Sequence, residues 1–121
     1  MIKKIKKKEN KTEVNCLSMM LPIRDALDVI SGKWKLMILI SIRFGNKRFG
    51  EIEKSIPKIT PKVLAKELKD MEEHKLIKRT VYDDYPVVIE YTVTEYSNSL
   101  EGVIAALRDW GVNHRKKILG K

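Results

Sequence analysis

The side chains able to do chemistry in this chain of 121 residues are of two kinds, and one kind is scarce. There is one cysteine, Cys16, and there are two histidines, His74 and His114. They lie far apart, without the spacing of a metal site, a catalytic triad or a phosphate-cradling glycine loop. No enzyme, metal or cofactor is therefore expected. The other kind is cationic: Lys62, Lys66 and Lys69 recur at i, i+4 and i+7 behind Thr60 and Pro61. On a helix that spacing places three ammonium groups on one face, which suits phosphates. A charged helix face is more commonly just solvated, so the elements around it must decide.

Thr60 reads as an N-cap and Pro61 as the first helical residue, where a missing N–H costs nothing. Leu64, Leu68 and Met71 form an apolar stripe beside the lysines, so the helix, about Thr60–His74, has a core face and a cationic face. Before it, Phe49, Ile52 and Ile56 share a face of a two-turn helix that Pro57 ends. The break at Ser55 to Ile59 completes a helix-turn-helix pattern, in which the second helix enters the DNA major groove. Two β-branched and aromatic runs follow, Leu76–Tyr82 and Val87–Val93, around the polar loop Asp83-Asp84-Tyr85-Pro86. They predict a hairpin, the wing of a winged helix. Upstream, Pro22 to about Ser31 reads as a helix opening near Pro22, Gly32 interrupts it, and Trp34–Phe44 reads as a buried central helix with Trp34 in the core. Gly45-Asn46 marks a turn. A last helix over Tyr96–Leu119 carries Leu100, Val103, Ile104, Leu107, Trp110 and His114 on one face. Close packing at Gly102 and Gly111 would offset their poor helix propensity, and His114 packs or caps rather than binding a metal. That stripe is too long and apolar for so small a body, which predicts subunit association.

The formal net charge is +9. Residues 1–11 contribute six lysines against Glu9, and residues 1–15 read as a basic, mobile arm ahead of a domain over 16–121. Residues 33–69 hold ten Lys/Arg and three Glu, whereas residues 70–110 hold four Lys/Arg and nine Asp/Glu. The positive excess thus sits on the docking element. No apolar run reaches the roughly 18 residues of a membrane span, no signal peptide is evident, and one cysteine fits a reducing compartment; a cytoplasmic protein is expected. The fold class is mainly α with a small β-hairpin wing (α+β).

The strings PIRDALDVISGKW, KRFGEIEKSIPKITPKVLAKELKDMEEHKLIKRTVY, VIEYTVTE and LRDW, in this order over about residues 22–113, resemble the HxlR-type family of bacterial winged-helix transcriptional regulators, relatives of the MarR group. The resemblance implies a homodimer joined through its N- and C-terminal helices. It implies a roughly palindromic operator in double-stranded DNA, read by one recognition helix per half-site. On this chain the interface falls on Leu17, Met20, Leu100, Val103, Ile104, Leu107 and Trp110. The family's DNA-contacting helix start falls on Thr60, Pro61, Lys62 and Val63, with Lys66 one turn later. Thr60 and Lys62 reach base edges or phosphates, Lys58 and Lys66 anchor phosphates, and Arg48 and Arg79 flank the motif as phosphate clamps, although Arg79 can equally pair with nearby acids. Two departures bear on function. Members often carry a sensing cysteine just before the proline of the first helix. Here that position is Leu21, and Cys16, six residues before Pro22, is the candidate redox sensor or an inert thiol. The wing loop offers Asp83-Asp84 where a basic residue is usual, which counts against wing contact with the DNA backbone. The competing reading is a winged-helix module for protein–protein interaction.

Overall fold

The computed structural model describes the backbone of residues 9–121, and side chains from residue 15 onward. The described residues up to Gly32 and those from Lys33 onward form two compact units. The first eight residues of the expected basic arm lie outside the described part.

The first unit contains one helix, α1 (Glu9–Ile30), with Pro22 in its interior. The expectation that the helix opens near Pro22 is corrected. Residues 9–21 hold no glycine or proline, and Leu and Met run up to Pro22. The helix therefore continues upstream, and the proline is carried at the loss of one backbone donor.

The second unit follows in the order α2 (Lys35–Arg43), α3 (Phe49–Ser55), α4 (Pro61–Glu73), β1 (Ile77–Tyr82), β2 (Val88–Val93), a 3-10 turn (Tyr96–Leu100) and α5 (Glu101–Leu119). Its core is built where α2, α3, α4 and the hairpin base meet. Ile38, Leu39, Ile52, Leu64 and Met71 are fully buried, and Ile42, Ile56, Ile59, Leu68, Leu76 and Ile77 nearly so. Burying an aliphatic side chain of this size contributes about 1.5–3 kcal/mol, so this cluster holds the unit together. The central helix is less enclosed than its composition suggests. Met37 is exposed, and Phe44, just past the helix end, is 85% exposed. Trp34 is half-buried at the N-cap of α2, with the Lys33 ammonium 4.8 Å from its ring centroid. It is a boundary residue held in part by a cation–π contact, and not the core residue expected.

The chain leaves α2 through Gly45 at φ +106°, a conformation open to glycine. Asn46 then donates its side-chain N–H to the Ser41 carbonyl at 3.2 Å. The hairpin β1–β2 is antiparallel, pairing Ile77 with Val93 through to Tyr82 with Val88. The last helix is split. Ser97 is buried, donating its hydroxyl to the Thr94 carbonyl at 2.7 Å, and this local bonding tightens Tyr96–Leu100 into 3-10 geometry before α5 begins. A Cβ placed at Gly102 or Gly111 would meet no atom within 4 Å. The close packing expected at these glycines is thus absent among the described residues. His114 stacks on Trp110, ring centroids 4.7 Å apart.

Candidate nucleic-acid interface

Helix α4 starts as its residues dictate. Thr60 is extended (φ −99°, ψ 155°), its hydroxyl accepts from the Val63 N–H at 3.2 Å, and Pro61 occupies the first turn. Leu64, Leu68 and Met71 point into the core. The opposite side shows Lys62, Lys66 and Lys69, all exposed, and Pro61 is exposed at the helix start. At about 1.5 Å per residue, Lys62 to Lys69 spans about 10 Å, a few phosphate spacings of duplex DNA. The turn before α4 presents Lys58 in the left-handed region (φ 67°), between the buried Ile56 and Ile59. That conformation is uncommon for a non-glycine residue.

The far end of α4 is closed by a Schellman cap. The Leu76 N–H bonds to the Met71 carbonyl and the Lys75 N–H to the Glu72 carbonyl, both at 3.0 Å, with Lys75 at φ 62°. Met71 and Leu76 are both buried, which supplies the hydrophobic contact of that motif. The recognition helix therefore leads into the wing without slack.

The start of α3 is fastened to the wing. Glu51 accepts backbone N–H bonds from Lys47 at 2.9 Å and Arg48 at 3.1 Å. Those bonds, that from Arg48 first, lower the Glu51 pKa below the ordinary carboxylate value. The Lys47 carbonyl in turn accepts the Tyr91 N–H of β2 at 2.7 Å. Arg79 of β1 pairs with the same Tyr91 across the ladder. Lys47 and Arg79 thus flank β2 on its two edges, about two strand spacings or roughly 10 Å apart. In this way the arginines at positions 48 and 79 come to the same end of the motif.

Beneath α4 sits a charged cluster. The Lys35 ammonium lies 2.6 Å from Glu67 Oε1 and 3.0 Å from Asp70 Oδ2, with its side chain 12% exposed. Burial alone would lower the Lys35 pKa. The two carboxylates outweigh that effect and raise it. The hydrogen bond from Lys35 holds Asp70 below the ordinary carboxylate range.

Of the residues expected to meet DNA, Arg48, Lys58, Thr60, Pro61, Lys62, Lys66 and Arg79 are exposed, and Val63 is half-buried. Lys58 through Val63 and Lys66 share the turn and first two turns of α4. Among the described residues none of these cations lies within ion-pair distance of an acid, Arg79 included; the ion pairs belong to Lys35, Arg43 and Arg108. The wing tip presents Asp83, Asp84 and a fully exposed Tyr85, leaving Lys78 and Arg79 as the hairpin's cations near its base. Sequence reasoning missed the Lys35 cluster and the Tyr91–Lys47 bond. Each joins positions more than thirty residues apart, and no local pattern marks them. Among the described residues no group of His, Cys, Asp and Glu is placed to hold a metal ion, and no helix is long and apolar enough to cross a membrane.

A short helix, a tight turn, a capped second helix with an outward cationic face and a hairpin directly behind it define a winged helix-turn-helix protein. The chain belongs to the HxlR-like helix-turn-helix family, whose pattern it matches over residues 29–118. It is 40% identical over 98 residues to the HTH-type transcriptional regulator YtcD of Bacillus subtilis (strain 168), covering 81% of this chain and 78% of that one. A crystal structure of YtcD matches with a TM-score of 0.74 at 41% identity, over 78% of this chain and 97% of the other. The redox regulator HypR in its reduced form matches with a TM-score of 0.75 at 33% identity, over 83% and 99%. The protein is accordingly a DNA-binding transcriptional regulator and not an enzyme.

Proposed function

We propose that the protein acts as a homodimer on a pseudo-palindromic operator, inserting the N-terminal end of α4 into the major groove of each half-site. The observation that carries this reading is the capped, outward start of α4, where Thr60, Lys62 and Lys66 are exposed and free of acidic partners within ion-pair reach among the described residues. Thr60 and Lys62 contact base edges or phosphates. Lys58, Lys66, Arg48 and Arg79 hold phosphates, and Pro61 and Val63 shape the helix start. Association is supported by apolar surface in both units. Leu17 and Met20 of α1 are each 53% exposed, and no residue of α5 is buried, with Val103, Leu107 and Trp110 open to solvent. Leu100 and Ile104 are half-buried on the same helix face. Patches of this kind mark interfaces, and two-fold symmetry would set the recognition helices about 34–36 Å apart, one turn of DNA.

Fluorescence anisotropy on fragments of the region upstream of its own gene, with light scattering for mass, tests both parts. Site-selective binding by a dimer is expected. If about six to ten phosphates are neutralised, affinity falls about 10³–10⁵-fold from 50 to 200 mM salt. Salt-insensitive or absent binding would favour the protein-interaction reading instead. Cys16 is exposed and is the chain's one thiol. We assign redox control of operator binding to this thiol: diamide is expected to change wild-type binding and Cys16→Ser to abolish that change, whereas a wild type indifferent to diamide would mark the thiol as inert.

A further inference from the structure

We propose that Lys35 is a positioning residue for DNA recognition: from the start of α2 it grips Glu67 and Asp70 and so sets how α4 presents Thr60, Lys62 and Lys66. The proposal rests on the DNA-binding reading above.

Lys35 is the first residue of α2, and no acid accompanies it in the first turn. The positive end of a helix dipole disfavours a cation there. Local energetics thus argue against lysine at this position, and the compensation comes from α4. Glu67 and Asp70 stand three residues apart, so they share one flank of that helix and converge on one ammonium at 2.6 and 3.0 Å.

Two consequences follow for α4. First, its packing through Leu64, Leu68 and Met71 is apolar and non-directional. Such a stripe resists separation more than it resists a small roll or slide. Two charge-assisted hydrogen bonds to neighbouring turns are directional, and they fix the rotation about the helix axis. Second, α4 carries Lys62, Lys66 and Lys69 but also Glu67, Asp70, Glu72 and Glu73. Without Lys35, two carboxylates in mid-helix would stand unneutralised beside the lysines that face phosphates. The DNA-facing lysines are exposed, whereas Lys35 is nearly covered, so its role is exerted through α4 and not by touching DNA.

The test compares wild type, Lys35→Arg and Lys35→Met for affinity to an operator fragment and to a scrambled duplex of equal length. Circular dichroism monitors folding. Lys35→Met is expected to lower operator affinity about tenfold or more, the scale of one lost bidentate base contact, and binding to scrambled DNA by a clearly smaller factor, so that the operator-to-scrambled ratio falls. Lys35→Arg is expected to restore most of the operator preference. A folded Lys35→Met protein with an unchanged operator-to-scrambled ratio would overturn the proposal. Should Lys35→Met not fold, Glu67→Ala and Asp70→Ala each keep one of the two links. A reduced ratio in either supports the proposal, and an unchanged ratio in both overturns it. Failure of the underlying reading is distinguishable, since wild type itself would then show no preference for any upstream fragment.

Discussion

Thr60 has two separable jobs, and substitutions there can tell them apart. Its hydroxyl caps α4 through the Val63 N–H, and in the proposed complex the same residue faces DNA. Thr60→Ala removes the cap and costs about 1 kcal/mol, which for a domain of this size lowers the melting temperature by about 4–6 °C. Thr60→Asp keeps an acceptor for Val63 and adds a negative charge at the positive end of the helix, worth about 0.3–1 kcal/mol in favour of the fold. On DNA the same carboxylate is harmful. About 5 Å from a phosphate, at an effective dielectric of about 20–80, it adds about 1–3 kcal/mol of repulsion per half-site. That is roughly a five- to 150-fold loss of affinity per half-site, shrinking as salt rises. The assay pairs thermal melting with anisotropy at 50 and 200 mM salt. The expected pattern is opposite in sign: Thr60→Asp at least as stable as wild type yet defective in binding, Thr60→Ala less stable and only mildly defective. A stable Thr60→Asp protein with wild-type affinity would show that the start of α4 does not face the duplex.

Further predictions concern stability, pH and assembly. Lys75→Gly relieves a left-handed residue at the α4 cap and is expected to stabilise by about 0.5–1 kcal/mol once the glycine's extra unfolded-state entropy is counted, read as a higher melting temperature. Asp70 titrates below its ordinary value because Lys35 bonds to it; its contribution to stability is therefore complete above the unfolded carboxylate pKa and lost as pH falls through the lower folded one. Carboxyl NMR titration should show Asp70 depressed in wild type and moved upward in Lys35→Met. Leu107→Asp places a charge on the exposed apolar face of α5 and should shift the proposed dimer to monomer in light scattering while the helical spectrum persists.

How much of this was legible in the sequence depends on how local each determinant is. The start of α4 is readable because Thr60, Pro61, Leu64, Leu68 and Met71 each follow the one before by no more than four residues. The hairpin was readable from two β-branched runs around an acidic loop. Pro22 reads as a helix-opening proline, but nothing in residues 9–21 breaks a helix, so α1 begins further upstream. Trp34 reads as a core residue on type alone, but it sits at the N-cap of α2, outside the nine helical residues, and is only half-buried, while Phe44 lies just past the other end and is exposed. The Lys35 cluster was hidden because its partners lie 32 and 35 residues away. The Tyr91–Lys47 link was hidden because it is made by backbone atoms, which carry no residue signature.

That backbone bond has a mechanical corollary. Residue 47 is where the lead-in to α3, its carboxylate latch and the second strand of the wing are stapled together, so turn, reading helix and hairpin tilt as one piece. In the proposed dimer, the spacing of the two reading helices is then set by how the copies meet and not by flexing within this block.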